Sequence, residues 1–181
     1  YGGTGKPLET LLNRTPEFNS SFKAKSEFVQ QPITEKGLEE IWNFLMGAND
    51  EPLVLIIEPM GGRMSEIKED AVAFPHRGGN IYNVQYFMRW FEKQEGVTEK
   101  HLEWMRKFYG FMAPYVSSKP RAAYYNYKDI DLGRNVEGNG ESYLAASVWG
   151  MKYFKGNFMR LAKVKGRVDP TNFFWNEQSI P

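Results

Sequence analysis

Three tyrosines and an asparagine stand side by side at Tyr124-Tyr125-Asn126-Tyr127. The strand propensity of tyrosine predicts a β-strand over 121–127, with side chains alternating between its two faces. Tyr125 and Tyr127 then share one face, and the other two residues share the opposite face. A phenol beside an electron-poor cofactor can act as a general base when its pKa lies well below the usual value of about 10. The alternative is that these tyrosines only pack, as half-buried tyrosines commonly do.

Two amides and a carboxylate form a second set of candidates. The segment 80–91 alternates, which predicts a strand with one apolar face and with Asn83 and Gln85 on the other. Buried amides must be hydrogen-bonded, so these two either satisfy nearby backbone or bind a ligand, unless this face is solvated. Glu58 ends the apolar run 53–57, which predicts a buried strand. A partly desolvated carboxylate there suits acid–base chemistry, and an ordinary surface carboxylate is the alternative.

The sequence does not predict a thiol site or a zinc site. It contains no cysteine, which excludes thiolate ligands, disulfides and thiol catalysis within these residues. Its two histidines, His76 and His101, stand in unrelated segments, so a zinc site is not expected.

Two aspartates, Asp129 and Asp131, are separated by one residue. A hard cation needs more oxygen ligands than these two can provide, and no calcium-loop pattern surrounds them. We therefore predict no metal, and we expect turn capping or ion pairs with the nearby Lys128 or Arg134.

Charge and hydropathy exclude two further classes of partner. The chain has 23 basic and 22 acidic residues, a net charge of +1, which gives no electrostatic reason to expect a nucleic acid. No apolar run approaches the roughly 18 residues that a membrane span needs, so no membrane partner is predicted. The glycine pair Gly61-Gly62 lacks the spacing of a phosphate-binding loop, so no self-contained nucleotide site is expected.

Periodicity predicts the elements that position these residues. A helix is expected from the N-cap Thr34 to Gly47, and another after a second N-cap at Thr98. Two more helices are expected near the C-terminus, at about 142–154 and 157–165. Together with the predicted strands, they indicate the α+β class, with a mixed or antiparallel sheet.

Two N-x-S/T sequons begin at Asn13 and Asn19, in a polar segment. Glycosylation of these asparagines would suit a surface loop of a secreted protein, although Pro16 directly after the first sequon weakens it.

Residues 124–181 contain a series of motifs that resembles the C-terminal signature of the berberine bridge enzyme-like family. In order, these are Tyr124 to Gly133, Trp149-Gly150, Tyr153-Phe154, Asn157 to Leu161, Val168 to Phe174 and Glu177 to Pro181. Upstream, the segments 58–64 and 74–86, and Leu11 to Arg14 near the start, resemble the substrate domain of the same family. The resemblance thus extends over nearly the whole chain.

This resemblance implies a secreted (apoplast or cell wall) or vacuolar plant protein with FAD. In the family, the flavin is often attached through a histidine and a cysteine of an N-terminal domain, and the chain is expected to lack that domain. Residues 1–115 would be part of the substrate-binding domain, an antiparallel sheet covered by helices. Residues 116–181 would be a helical C-terminal segment that packs on the missing FAD-binding domain or on a companion chain.

The resemblance also implies roles for one amide and for residues 121–127, which we call the tyrosine segment. By matching motif positions, Tyr127 resembles the active-site tyrosine of the family, which removes a proton while the substrate passes a hydride to the flavin. Tyr124 and Asn126 would line or support the flavin site together with Tyr127. Gln85 resembles a residue that orients or tunes the base.

Two further positions would face the substrate. Glu58 matches a position where some family members place a catalytic glutamate, and Asn83 occupies a strand position that varies with the substrate. The implied activity of the intact protein is oxidation of an alcohol-bearing small molecule, a carbohydrate or a phenylpropanoid alcohol, and the chain alone is expected to be inactive. Oxidative cyclisation of a specialised metabolite, and a non-catalytic storage protein or pollen allergen of the same fold, stay open as alternatives.

Overall fold

The structure, a computed structural model, describes residues 12, 14, 19–48, 51–135 and 143–181. Its strands are β1 (Ser21–Val29), β2 (Leu53–Pro59) and β3 (Tyr82–Trp90). Its α-helices are α1 (Glu35–Met46), the single turn α2 (Arg63–Glu66), α3 (Val97–Phe111), α4 (Tyr143–Phe154) and α5 (Asn157–Val168), and short 3₁₀ turns lie at Ala113–Tyr115 and Ile130–Leu132. The strands form one antiparallel sheet in the order β1-β3-β2. This arrangement confirms the predicted α+β class with an antiparallel sheet.

The first hydrophobic core lies between one face of the sheet and the helices α1 and α3. Tyr86 and Met88 of β3, Ile41 of α1, and Met105 and Phe108 of α3 are all buried in it. The alternation of β3 produces this core, because every second side chain points at the helices. The prediction of an apolar face opposite the two amides is therefore confirmed.

The two predicted helix caps have different outcomes. Thr34 is the N-cap of α1, where its hydroxyl accepts a hydrogen bond from the backbone N–H of Gly37 at 3.2 Å. The prediction for Thr98 is wrong, because α3 begins at Val97 after Gly96, whose φ of 82° lies in the left-handed region. The hydroxyl of Thr98 instead accepts from the indole N–H of Trp90 at 3.2 Å.

The run at 53–57 is a strand, as predicted, but it is not a buried strand. In the described part of the chain, β2 lies at an edge of the sheet. Its side chains Val54 and Ile57, on opposite faces, are 53% and 58% exposed. An apolar run alone does not distinguish an edge strand from a central one, which is why the prediction failed.

The segment 121–127 is not a strand, in contrast to the prediction. Tertiary hydrogen bonds hold it instead: the N–H of Ala123 donates to the carbonyl of Lys152 at 3.0 Å, and the N–H of Tyr124 donates to the hydroxyl of Ser26 at 2.8 Å. A turn follows, in which the N–H of Tyr127 donates to the carbonyl of Tyr124 at 3.0 Å.

The turn changes which tyrosines share a side. The rings of Tyr124 and Tyr127 contact each other edge-on, with centroids 5.0 Å apart. Tyr125 points elsewhere, against Tyr153 and Phe154 of α4. The predicted pairing of Tyr125 with Tyr127 on one face is therefore wrong.

A second hydrophobic core forms between α4, α5 and the tyrosine segment. Trp149, Tyr153 and Phe158 are buried at its centre. Gly150 permits the close approach of the two helices, because a Cβ at this position would lie 2.3 Å from the ring of Phe158. The two helices confirm the prediction of helical structure in this part of the chain.

A partly buried group of charges, which we call the charge cluster, joins β1 and α3 to the segment after the tyrosines. It consists of Lys23, Lys25, Arg106, Asp129 and Asp131. The ammonium groups of Lys23 and Lys25 each lie 2.6 Å from a carboxylate oxygen of Asp129. Lys25 and Asp129 are both 2% exposed, so these pairs are well shielded from water.

The expected partners of the two aspartates were wrong. Asp129 and Asp131 both pair with Lys25. Lys128 instead donates to the side-chain oxygen of Asn176 at 2.9 Å. Turn capping is confirmed, since the carboxylate of Asp129 accepts from the N–H of Asp131 at 3.1 Å. Within the described residues there is no group of three or more potential metal-ligating acids and histidines, and no helix long and apolar enough to cross a membrane.

Candidate active site

Three of the predicted site residues meet on the sheet face that α1 and α3 do not cover, which we call the open face. Asn83 of β3 lies directly opposite Glu58 of β2, so their side chains point to the same side. The hydroxyl of Tyr127 reaches this pair from the tyrosine segment and donates to Glu58 Oε2 at 3.2 Å. The structure thus brings together a phenol, a carboxylate and an amide that are far apart in sequence.

Tyr124 and Asn126 support Tyr127 from the side. The side-chain amide N–H of Asn126 donates to the hydroxyl of Tyr124 at 2.7 Å. The ring of Tyr124 in turn lies edge-on between those of Tyr127 and Phe74. These contacts restrict how the Tyr127 ring can be oriented.

Gln85 is on the open face but does not join this group. It lies two residues beyond Asn83 on β3, next to Ile56 of β2, and is 9% exposed. Its side chain makes no hydrogen bond to Tyr127 among the residues that the structure describes. Its role in tuning the base stays a prediction.

The surroundings of Tyr127 favour the neutral phenol. Burial, together with the negative charge and the hydrogen bond of Glu58, raises the pKa of Tyr127 above its usual value of 10.0. The lowered pKa that the sequence argument requires of a tyrosine base is therefore not produced by the described residues. Glu58 Oε2 accepts the hydrogen bond of this hydroxyl, so a carboxylate is in direct contact with the phenol.

A cavity of about 260 Å³ lies beside these residues. We call it the pocket, and its lining is formed by Phe28, Glu58, Pro59, Met60, Met64, Phe74, Asn83 and Tyr124. Most of this surface is apolar, and the polar side chains in the lining are those of Glu58, Asn83 and Tyr124. A mainly apolar pocket with a few polar groups is typical of a site for a small organic molecule.

Sequence reasoning missed His76, which supports the pocket from behind. Its ring stacks on Phe28 with centroids 4.1 Å apart, and its Nε2 lies 2.9 Å from the carbonyl oxygen of Tyr153. Burial, and to a lesser extent the charge of Lys155, lower its pKa from 6.5 to about 4. No spacing in the sequence indicates this role, since both partners come from distant segments.

The buried neutral imidazole predicts a loss of stability in weak acid. Because the folded-state pKa of His76 lies below the unfolded value, protonation favours the unfolded chain as the pH falls from 6.5 towards 4. The free energy of unfolding is expected to drop by about 3 kcal/mol over this range from His76 alone. In chemical denaturation at several pH values, the free energy of unfolding should vary less with pH for His76→Gln than for the wild type. Equal slopes would contradict the prediction.

The glycosylation predictions fall partly outside the described part of the chain. Asn19 is described and exposed, as a modified asparagine must be. Asn13 lies outside the described residues. Modification of either asparagine stays a prediction.

The chain is similar to proteins of one known family. Residues 123–181 match the model of the family described as "Berberine and berberine like". Over 98% of its length the chain is 54% identical to berberine bridge enzyme-like 23 of Arabidopsis thaliana, and over 98% it is 50% identical to tetrahydroberberine oxidase of Argemone mexicana. It spans 33% of the first of these proteins and 32% of the second.

Solved structures agree with the sequence comparison. The structure of berberine bridge enzyme-like 28 from Arabidopsis thaliana superimposes with a TM-score of 0.85 at 48% identity, covering 98% of this chain and 36% of that one. Phl p 4, a grass pollen allergen with glucose dehydrogenase activity, gives a TM-score of 0.84 at 45% identity, covering 96% and 35%. The fold is thus that of a C-terminal portion of these two structures. The chain thus matches a C-terminal portion of berberine bridge enzyme-like proteins, and the resemblance predicted from its motifs is confirmed.

Proposed function

We propose that this chain forms the substrate side of the active site in an FAD-dependent oxidoreductase that oxidises an alcohol-bearing small molecule. The observation that supports this proposal most directly is the hydrogen bond from Tyr127 to Glu58 at the edge of the pocket. A phenol and a carboxylate in contact can together receive the proton of a substrate hydroxyl. FAD, when bound, supplies the acceptor for the hydride that leaves the substrate carbon.

The proton moves in two linked steps within the proposed site. The substrate hydroxyl gives its proton to the oxygen of Tyr127, and the original phenolic proton passes to Glu58 Oε2. Because burial and the charge of Glu58 raise the pKa of Tyr127, the phenol keeps its proton until the substrate delivers another. Glu58 is therefore the final proton acceptor, and Tyr127 the group that touches the substrate.

The described residues fit the ring side of a flavin. Tyr127 is half-buried and Glu58 is exposed on the open face, so a planar ring can approach both. Beside them, Asn83 presents a buried oxygen that has no partner in the described residues. Tyr124, Asn126 and Tyr127 would contact the ring and its surroundings in this proposal, while the phosphates of FAD would be held by another part of the protein.

The proposed partner is an FAD-binding domain, either in the longer protein or in a companion chain. The helices α4 and α5 and the segment after them expose large apolar side chains: Leu144, Val148, Met151, Met159, Val164, Val168, Phe173 and Phe174. Large apolar side chains left exposed in this number commonly mark an interface. In this proposal residues 1–115 belong to the substrate-binding domain and residues 116–181 return to the FAD-binding domain.

The class of substrate is proposed from the site together with the relatives. A carbohydrate or a phenylpropanoid alcohol both present a hydroxyl to Tyr127, and glucose dehydrogenase activity is stated for Phl p 4. Oxidative chemistry on an alkaloid is the alternative, because a tetrahydroberberine oxidase is also a relative. That one neighbour is both an allergen and a dehydrogenase shows that these two descriptions do not exclude each other. We further propose a secreted or vacuolar location, since the relatives include pollen allergens.

Anaerobic reduction tests the proposal. The full-length protein that contains this chain is expected to be yellow, and its flavin absorbance should bleach when D-glucose or coniferyl alcohol is added without oxygen. Bleaching by tetrahydroberberine, and by neither alcohol, would favour the alternative chemistry. A colourless protein, or one that none of the three compounds reduces, would contradict the proposed function.

A further inference from the structure

One buried amide oxygen in the pocket has no hydrogen-bond partner. Asn83 is 3% exposed, and its Nδ2 donates to the backbone carbonyl of Glu27 at 2.9 Å. Its Oδ1 is also buried but accepts no hydrogen bond from the described residues. Because buried polar atoms are nearly always paired in folded proteins, this oxygen marks a position where a ligand donor is expected.

The orientation of this amide is fixed by its surroundings. Flipping it would place Oδ1 against the carbonyl oxygen of Glu27, where two acceptors would repel. Glu27 is itself completely buried, with its carboxylate accepting from the hydroxyl of Tyr86 at 2.6 Å and from the guanidinium of Arg121. The strand at Glu27 is therefore held from two sides, and Asn83 can offer only an acceptor to a ligand.

The rest of the pocket lining indicates the kind of ligand that would carry this hydrogen-bond donor. Phe28, Phe74 and Tyr124 contribute aromatic surface, and Met60 contributes a flexible aliphatic side chain. Glu58, opposite Asn83, is a second acceptor at the polar end of the pocket. A fitting ligand thus combines an apolar or aromatic surface with a hydroxyl or a protonated amine at the end that meets Asn83.

We propose that Asn83 determines substrate specificity by accepting a hydrogen bond from a hydroxyl or protonated amine of the substrate. This inference rests on the proposed function in taking the pocket as the substrate pocket. A ligand without the donor leaves Oδ1 unpaired, so it binds at least about tenfold more weakly than a donor-bearing ligand of the same shape. Asn83 thereby rejects ethers and deoxy analogues.

Three small probes test this in the oxidised full-length protein: benzyl alcohol, benzylamine and benzyl methyl ether. They share one ring and differ in offering a hydroxyl, an ammonium group or an acceptor only. In the wild type, Kd from ligand-observed NMR titration is expected to be at least about tenfold lower for the alcohol or the amine than for the ether. Which of the two binds more tightly identifies the donor.

Asn83→Leu has nearly the same shape but no amide oxygen, so it should remove this preference. Tyr125→Phe is the control, because it removes a hydroxyl from a residue outside the pocket lining and should keep the preference. If Asn83→Leu does not fold, Asn83→Ala provides the same comparison, since water can then reach the carbonyl of Glu27. A wild type that binds the ether as tightly as both donors, a preference that survives in the Asn83 variants, or no binding of any probe would overturn the proposal.

The two proposals can fail separately. If the probe preference is absent while the flavin is still reduced by an alcohol, only the role of Asn83 is wrong. If the preference is present but no compound reduces the flavin, the pocket selects ligands with a hydrogen-bond donor, and the proposed oxidation is wrong.

Discussion

Tyr127→Phe is expected to slow reduction of the flavin by substrate about a hundredfold to ten-thousandfold in the full-length protein. The substitution removes the hydroxyl that donates to Glu58 at 3.2 Å, but the ring can keep its contact with Tyr124. The substrate has then lost the group that passes its proton on to Glu58, whereas the apolar contacts that bind the substrate persist. Anaerobic stopped-flow measurements should therefore show a large fall in the limiting rate of reduction and a much smaller change in substrate affinity.

Tyr125→Phe is the matched control for this experiment. Tyr125 is a neighbour in sequence, but its ring packs on Tyr153 and Phe154, away from the pocket. The Tyr125→Phe protein should therefore reduce its flavin at a rate close to that of the wild type. A Tyr127→Phe protein that is reduced as fast as the Tyr125→Phe protein would show that the phenol takes no part in the proton transfer.

Asp129→Ala is expected to lower the free energy of unfolding by about 3–5 kcal/mol, the usual cost of removing one partner from a buried ion pair. Lys25, which is 2% exposed, would keep the more exposed carboxylate of Asp131 as an ion-pair partner and the ring of Tyr109 as a cation–π partner. Asp129 also accepts a hydrogen bond from Gln178 through its carbonyl, and its N–H donates to the hydroxyl of Tyr153. These backbone bonds are available to alanine, so the loss should reflect the carboxylate. Denaturant unfolding followed by tryptophan fluorescence measures it.

Arg106→Ala provides the comparison within the same charge cluster. Its guanidinium lies 2.9 Å from Asp131 but is 55% exposed, so its removal should cost no more than about 1 kcal/mol. Burial alone would raise the pKa of Asp131, but the hydrogen bonds of Arg106 and Lys25 and the charge of Lys25 outweigh it and lower this pKa. Similar losses for Asp129→Ala and Arg106→Ala would show that burial does not strengthen the pairs around Lys25.

Local features of the fold could be predicted from the sequence. The alternation of β3 and the cap at Thr34 depend on residues close together in the chain, and both predictions are confirmed. The existence of β2 was predicted correctly, but its exposure was not, because an apolar run does not reveal how many neighbours a strand has. The cap at Thr98 failed because the hydroxyl found a distant partner in Trp90.

The tyrosine segment shows where local reasoning ends. Its strand propensity was overridden by hydrogen bonds to Ser26 of β1 and Lys152 of α4. Neither partner is close to the segment in sequence. The meeting of Tyr127 with Glu58 likewise depends on tertiary structure, and only the family resemblance indicated that both belong to one site. The catalytic and binding roles of these residues stay predictions until they are measured.

The outer edge of β2 has a consequence for any attempt to prepare the 181 residues by themselves. No strand pairs with this edge in the described part of the chain, and Val54 and Ile57 expose branched aliphatic side chains above and below it. Unpaired backbone between such side chains is a template for intermolecular β-pairing. The isolated polypeptide is thus expected to self-associate in solution, and joining it to the remainder of a longer homologue should suppress that aggregation.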